Sequence, residues 1–167
     1  MRVFLDTNVI VSAVTTRGLC ADVFRTVLAE HELITSSRVL LEVRRILKVK
    51  FEVPDELTVE YLELIEQDAV MAEFKDLPKL PIKDKDDIEI VAAAVSAGAQ
   101  LIVTGDREVQ SIKSFKGVRV MSPRAFWEER LYARLAARLV HTAETVEQTL
   151  GLPPLPVTPR HSQLSGL

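Results

Sequence analysis

Short apolar runs alternate along the chain with longer stretches whose apolar positions recur every three or four residues. Arg2 to Leu5 predicts a strand, and Val9 to Val14 continues apolar on both sides, so it is buried in either conformation. Thr15-Thr16-Arg17-Gly18 breaks the pattern. From Leu19 to Leu28, the residues Leu19, Val23, Phe24, Val27 and Leu28 fall at helical spacing. A strand is expected at Leu33 to Thr35. Ser36 or Ser37 then caps a helix whose apolar side carries Val39, Leu40, Val43, Ile46 and Leu47. Pro54-Asp55 opens another helix, apolar on Leu57, Tyr61, Leu62, Leu64 and Ile65.

Val70 to Phe74 is a strand candidate, and Leu77 to Ile82, with Pro78 and Pro81, is an extended connector. Asp84, Asp86 and Asp87 then open a strongly apolar helical run from Ile88 to Ala97, which Gly98 ends. Leu101 to Val103 reads as a buried strand closed by a Thr104-Gly105-Asp106 turn. A short helical piece, a Lys116-Gly117 turn, a strand at Val118 to Met121 and a helix from Ser122-Pro123 complete the pattern. Strands alternating with helices predict an α/β fold with a central, mainly parallel sheet covered on both faces. From Trp127 onward, Leu131, Leu135 and Leu139 mark one stripe of a helix and Arg130, Arg134 and Arg138 another; the latter reads first as a solvated face. Beyond Gly151 the proline-rich sequence is expected to be an extended tail. The expected organisation is therefore a domain over 1–126, a helical extension over 127–150 and a tail over 151–167.

Composition narrows the picture. A chain of 167 residues with 47% hydrophobic content is long enough and apolar enough for one globular domain. No apolar stretch has the length of a membrane span. The opening MRVFLD enters a strand directly without the shape of a secretory signal, so a cytoplasmic protein without membrane attachment is expected. The single cysteine, Cys20, excludes an internal disulfide and a cysteine-based zinc cage, and it is expected to be a small buried residue. Lys+Arg 21 against Asp+Glu 24 gives a net charge of -3, which argues against indiscriminate adhesion to polyanions.

Four acids stand where strand or helix patterning does not require them. Asp6 follows an apolar strand, Glu42 lies between Leu41 and Val43, Asp87 opens the apolar helix, and Asp106 closes a buried strand. In a parallel sheet the ends of strands and the starts of helices share one edge, so these acids can meet there. Carboxylates gathered without counter-charge repel one another and are driven toward protonation. A hard divalent cation such as Mg²⁺ or Mn²⁺ removes that penalty, and such sites serve phosphoryl transfer. Each acid also has an ordinary reading: Asp6 as a helix cap, Asp87 as a favourable first-turn acid, Asp106 as a turn residue.

The order of motifs LDTNVIVSAV, SSRVLLEVRRIL and DKDDIEIVAAAVSAGAQLIVTGD resembles the PIN-domain nuclease family over roughly residues 2 to 126, and within it the VapC-like toxins of toxin–antitoxin pairs. The resemblance implies a three-layer α/β/α fold. It matches Asp6, Glu42, Asp87 and Asp106 to the family's catalytic, metal-holding acids, with Asp84 and Asp86 as alternatives beside Asp87. Asn8 and Thr104 match polar residues that support the acids or orient water. Lys83, Lys85 and Arg107 flank the acids and are the expected contacts to RNA, or else a solvated rim. The implied activity is Mg²⁺- or Mn²⁺-dependent cleavage of single-stranded RNA leaving a 5′-phosphate, with an antitoxin protein as partner and a homodimer as the assembly. Three rivals stand against this. A haloacid-dehalogenase-like phosphatase is disfavoured by Asn8 and by the lack of a role for Glu42. A phospho-receiver module lacks a suitable mid-chain Asp. A catalytically silent PIN-like RNA-binding module would not need intact acids.

Overall fold

A computed structural model describes residues 1–150, and the proline-rich tail lies outside the described residues. Two compact units divide the chain, Met1–Glu128 and Glu129–Leu167. In the first, six strands form one sheet: β1 (Arg2–Leu5), β2 (Glu32–Thr35), β3 (Val70–Met71), β4 (Leu101–Val103), β5 (Ser114–Phe115) and β6 (Val118–Met121), in the order β3-β2-β1-β4-β6-β5. Every pairing is parallel except that of β5 with β6. The central strands carry almost unbroken apolar runs because both faces are covered, as expected for a parallel sheet. Val3, Phe4, Leu5, Ile34, Ile102 and Val103 are fully buried.

The connecting helices are α1 (Thr7–Thr15), α2 (Leu19–Glu30), α3 (Ser37–Phe51), α4 (Asp55–Asp68), α5 (Lys85–Ser96) and α6 (Arg107–Ser111). Helix α1 packs on α2 and α3, and α3 on α4, whereas α5 packs on β2 and β4. Strand order runs outward from β1 to β3 and then jumps back across β2 and β1 to β4. With right-handed crossovers, that reversal sets α1 to α4 on one face and α5 on the other. The outcome is the expected α/β/α arrangement. Helix α7 (Pro123–Leu150) ends the described chain, and Phe126 in its first turn is buried in the core of the first unit. In the second unit, Leu131, Leu135 and Leu139 are exposed, as are Arg130's neighbours Tyr132 and Arg134. No helix among the described residues is long and apolar enough to cross a membrane.

Local chemistry explains most boundaries. Ser36 caps α3 by accepting a hydrogen bond from the Val39 amide at 3.3 Å. Gly98 takes a left-handed φ of 67° directly after α5, where its amide and that of Ala99 bond back to the last turn. Lys116 and Gly117, both at positive φ, make the two-residue turn of the β5–β6 hairpin. Strand β5 itself is absent from the sequence pattern, since two residues carry no periodicity.

The structure departs from the expected pattern in four places. In α4 the buried residues are Thr58 and Ile65, while Leu57 and Leu64 are exposed; the apolar count placed the face a step away from its true position. In α3, Leu41 is 65% exposed, so Glu42 is not enclosed by apolar neighbours; it is half-buried because it lies three residues beyond buried Val39, on the same face. Leu19 and Leu28 at the ends of α2 are likewise exposed, and Cys20 is half-buried, not buried. The α4 correction has a direct test in urea unfolding. Ile65→Ala, at a site 3% exposed, should lose about 2–5 kcal/mol. Leu64→Ala should change stability by no more than about 0.5 kcal/mol, and equal losses would contradict this face assignment.

Candidate active site

The reversal of strand order falls between β1 and β4, where α/β proteins open a crevice beyond the strands' carboxyl ends. Their register pairs Leu5 with Val103, so Asp6 and Thr104 leave the sheet side by side. The Asp6 amide donates to the Val103 carbonyl at 3.1 Å, and the Thr104 amide to that of Met121 at 3.1 Å. Both residues are buried. Thr104 Oγ1 donates to Asp6 Oδ2 at 2.6 Å and accepts from the Asp106 amide at 2.9 Å, which couples the two acids through one hydroxyl.

Asp6 occupies the cap position of α1, yet its carboxylate makes no well-formed capping bond there. The Thr7 amide lies near enough only to oppose the burial penalty on Asp6, whose pKa is raised by desolvation and then by Glu42 and Asp106. Asp106, by contrast, caps α6: its Oδ1 accepts from the amides of Glu108 at 2.6 Å and Val109 at 3.1 Å. Glu42 Oε2 accepts from Thr7 Oγ1 at 2.9 Å. Thr7 is buried like Asp6, while Asn8 is exposed. Thr7 was not singled out from the sequence. The available signal was its place at the first turn of a helix that follows a buried acid.

The acidic triplet separates into three jobs. Asp84 caps α5, accepting from the Asp86 amide at 2.9 Å. Asp86 pairs with Arg38. Asp87 faces the other acids: burial first, and then Asp106, Asp84, Asp6 and Glu108, push its pKa up to about 7. The structure thus brings Asp6, Asp87 and Asp106 within electrostatic reach of one another at one edge of the sheet, and Glu42 within reach of Asp6. Lys83, Lys85 and Arg107 are exposed around that edge.

The donor set consists of carboxylate and hydroxyl oxygens, which suits a hard cation. Among the described residues no three acids already close around a common point as a full cage would. A cavity of about 690 Å³ lined by Phe74, Leu77, Val95 and Phe115 contains none of the four acids.

The charge crowding predicts a pH dependence. Asp87 is raised in the folded state, so its contribution to stability is complete below its ordinary value of 3.8 and is lost as pH rises through about 7. Asp6 acts in the same sense. His31, lowered by burial and by the Met1 amine, acts oppositely across the same range. In metal-free buffer, the thermal midpoint of Asp87→Asn relative to wild type should therefore rise between pH 5 and pH 8. A constant difference measured by calorimetry would show that Asp87 titrates normally.

No curated protein sequence is significantly similar to the chain. Its fold is similar to the VapBC2 structure from Rickettsia felis, solved bound to a DNA fragment from their promoter, with TM-score 0.53 and 17% identity over 73% of this chain and 98% of that one. It is equally similar to VapBC-1 from nontypeable Haemophilus influenzae, with TM-score 0.53 and 18% identity over 74% and 99%. The family model described as PIN domain matches residues 2–108, a span that holds all four acids. The chain belongs to the PIN-domain family.

Proposed function

We propose that this PIN-domain protein is a Mg²⁺- or Mn²⁺-dependent endoribonuclease that hydrolyses phosphodiester bonds of single-stranded RNA, as the toxin of a toxin–antitoxin pair. The observation that carries the reading is the gathering of Asp6, Glu42, Asp87 and Asp106 at one sheet edge, where burial first and neighbouring acids second raise the pKa values of Asp6 and Asp87. Stability alone does not favour such an arrangement, and a divalent cation offsets it. Asp6 and Asp87 would hold the ion, with Asp106 and Glu42 completing its surroundings or receiving a second one. When bound, the ion supplies Lewis acidity at phosphorus and a strong nucleophile at neutral pH.

The chain's own residues do the positioning. Thr104 orients Asp6, and Thr7 orients Glu42. Asp106 Oδ1 is committed to α6, so its other oxygen is the one available to a ligand. Lys83, Lys85 and Arg107 hold the RNA strand, and exposed Asn8 orients water at the rim. An always-active ribonuclease harms its host, which supports an antitoxin that masks the acids; both similar folds come from VapBC assemblies. A homodimer acting in the cytoplasm completes the reading.

The test is a mixed single-stranded RNA pool incubated with and without Mn²⁺, with product ends sequenced. Wild type should cleave only with metal and leave 5′-phosphates. Asp6→Asn and Asp87→Asn should each reduce cleavage to background with the fold intact. Thr104→Val should lose about 10–100-fold in activity. Undiminished cleavage by both Asn variants would remove the site.

A further inference from the structure

Three of the four acids are tethered by their own side chains: Asp6 by Thr104, Glu42 by Thr7, and Asp106 by two amides of α6. Asp87 has no side-chain hydrogen bond among the described residues, so its place depends on where the first turn of α5 is held. One side of that turn is tied by the Lys83 amide, which donates to Glu108 Oε1 at 2.7 Å. The other side is tied by Arg38. It stands one turn before Glu42 on α3, and its guanidinium crosses to α5, pairing with Asp86 and lying 3.7 Å from Glu89 Oε2. These two acids bracket Asp87 along the helix. Lys83, Lys85 and Arg107 form no ion pair among the described residues, whereas Arg38 is already committed to the protein.

An ion pair exposed to this degree adds little to overall stability. Its consequence is geometric: it joins the helix that carries Glu42 to the helix that carries Asp87. We infer that Arg38 is a positioning residue, whose bridge to Asp86 and Glu89 holds the first turn of α5, and with it Asp87, against the helix that carries Glu42, so that the acids can share a divalent cation. The inference rests on the metal-dependent reading above. It is independent of how RNA binds.

The experiment titrates Mn²⁺ alone against the thermal midpoint of the full chain, with no RNA present. Arg38→Ala should keep the metal-free midpoint and need about tenfold more Mn²⁺ for half-maximal stabilisation. The charge-exchanged double variant, Arg38→Asp with Asp86→Arg, should return most of the way toward wild type. In the cleavage assay at saturating Mn²⁺, Arg38→Ala should recover its kcat with an unchanged KM for RNA. A wild-type Mn²⁺ response in Arg38→Ala would overturn the inference, and so would a raised KM at saturating metal, which would make Arg38 an RNA contact. A wild-type Mn²⁺ response in Asp6→Asn would strike at the metal site itself, so the two failures are distinguishable.

Discussion

The parallel register of β1 and β4 is the constraint on which the site depends. Because Leu5 lies opposite Val103, the next residue of each strand emerges at the same height, and a buried threonine stands beside a buried aspartate. Sliding either strand by one residue would send the Asp6 and Thr104 side chains to opposite faces and part them. Both strands are apolar on both faces, so their burial holds them in the sheet, and the observed pairing gives Asp6 its hydrogen bond from Thr104. The same threonine accepts from the Asp106 amide, which extends the control from the strand to the following turn.

Around that fixed pair the other acids arrive on helices that start at the same edge of the sheet. Their approach is unfavourable, because burial and then neighbouring acids push the Asp6 and Asp87 pKa values up. The polypeptide tolerates this with local ties of two kinds. Hydroxyls from Thr7 and Thr104 bind the acids nearest the core, where a neutral donor needs no further compensation. Charged groups such as Arg38 act farther out, where water screens them and their role is to set spacing.

Much of this was legible in the residues alone. The strands at Arg2, Leu33 and Leu101 stood out because a strand buried on both faces is continuously apolar, and the caps at Ser36 and Gly98 carry their own chemistry. Asp6 and Asp106 were conspicuous as acids at the ends of such runs. The helix faces were less legible. Leu41, Leu57 and Leu64 are apolar but exposed, and only the packing of α3 on α4 decides which leucines are covered. Thr7 was overlooked for a similar reason: a buried threonine looks like any helix-start residue until its hydroxyl is found against Glu42, 35 residues away. Arg38 lies further still from its partner, and long-range ion pairs leave no trace in local periodicity. Among Asp84, Asp86 and Asp87, composition offered no choice; the direction each faces from the first turn of α5 did.

The span matched by the family model stops at residue 108, yet β6 lies beyond it and is inserted between β4 and β5, with Val118 and Phe126 buried. The stretch that identifies the family is therefore shorter than the compact unit Met1–Glu128. Ending the polypeptide at the signature would strip the outer rim of β4, the strand that delivers Thr104, and leave its amides open to any passing strand. Heredity and cohesion draw this molecule's border in two different places, and the chemistry depends on the wider one.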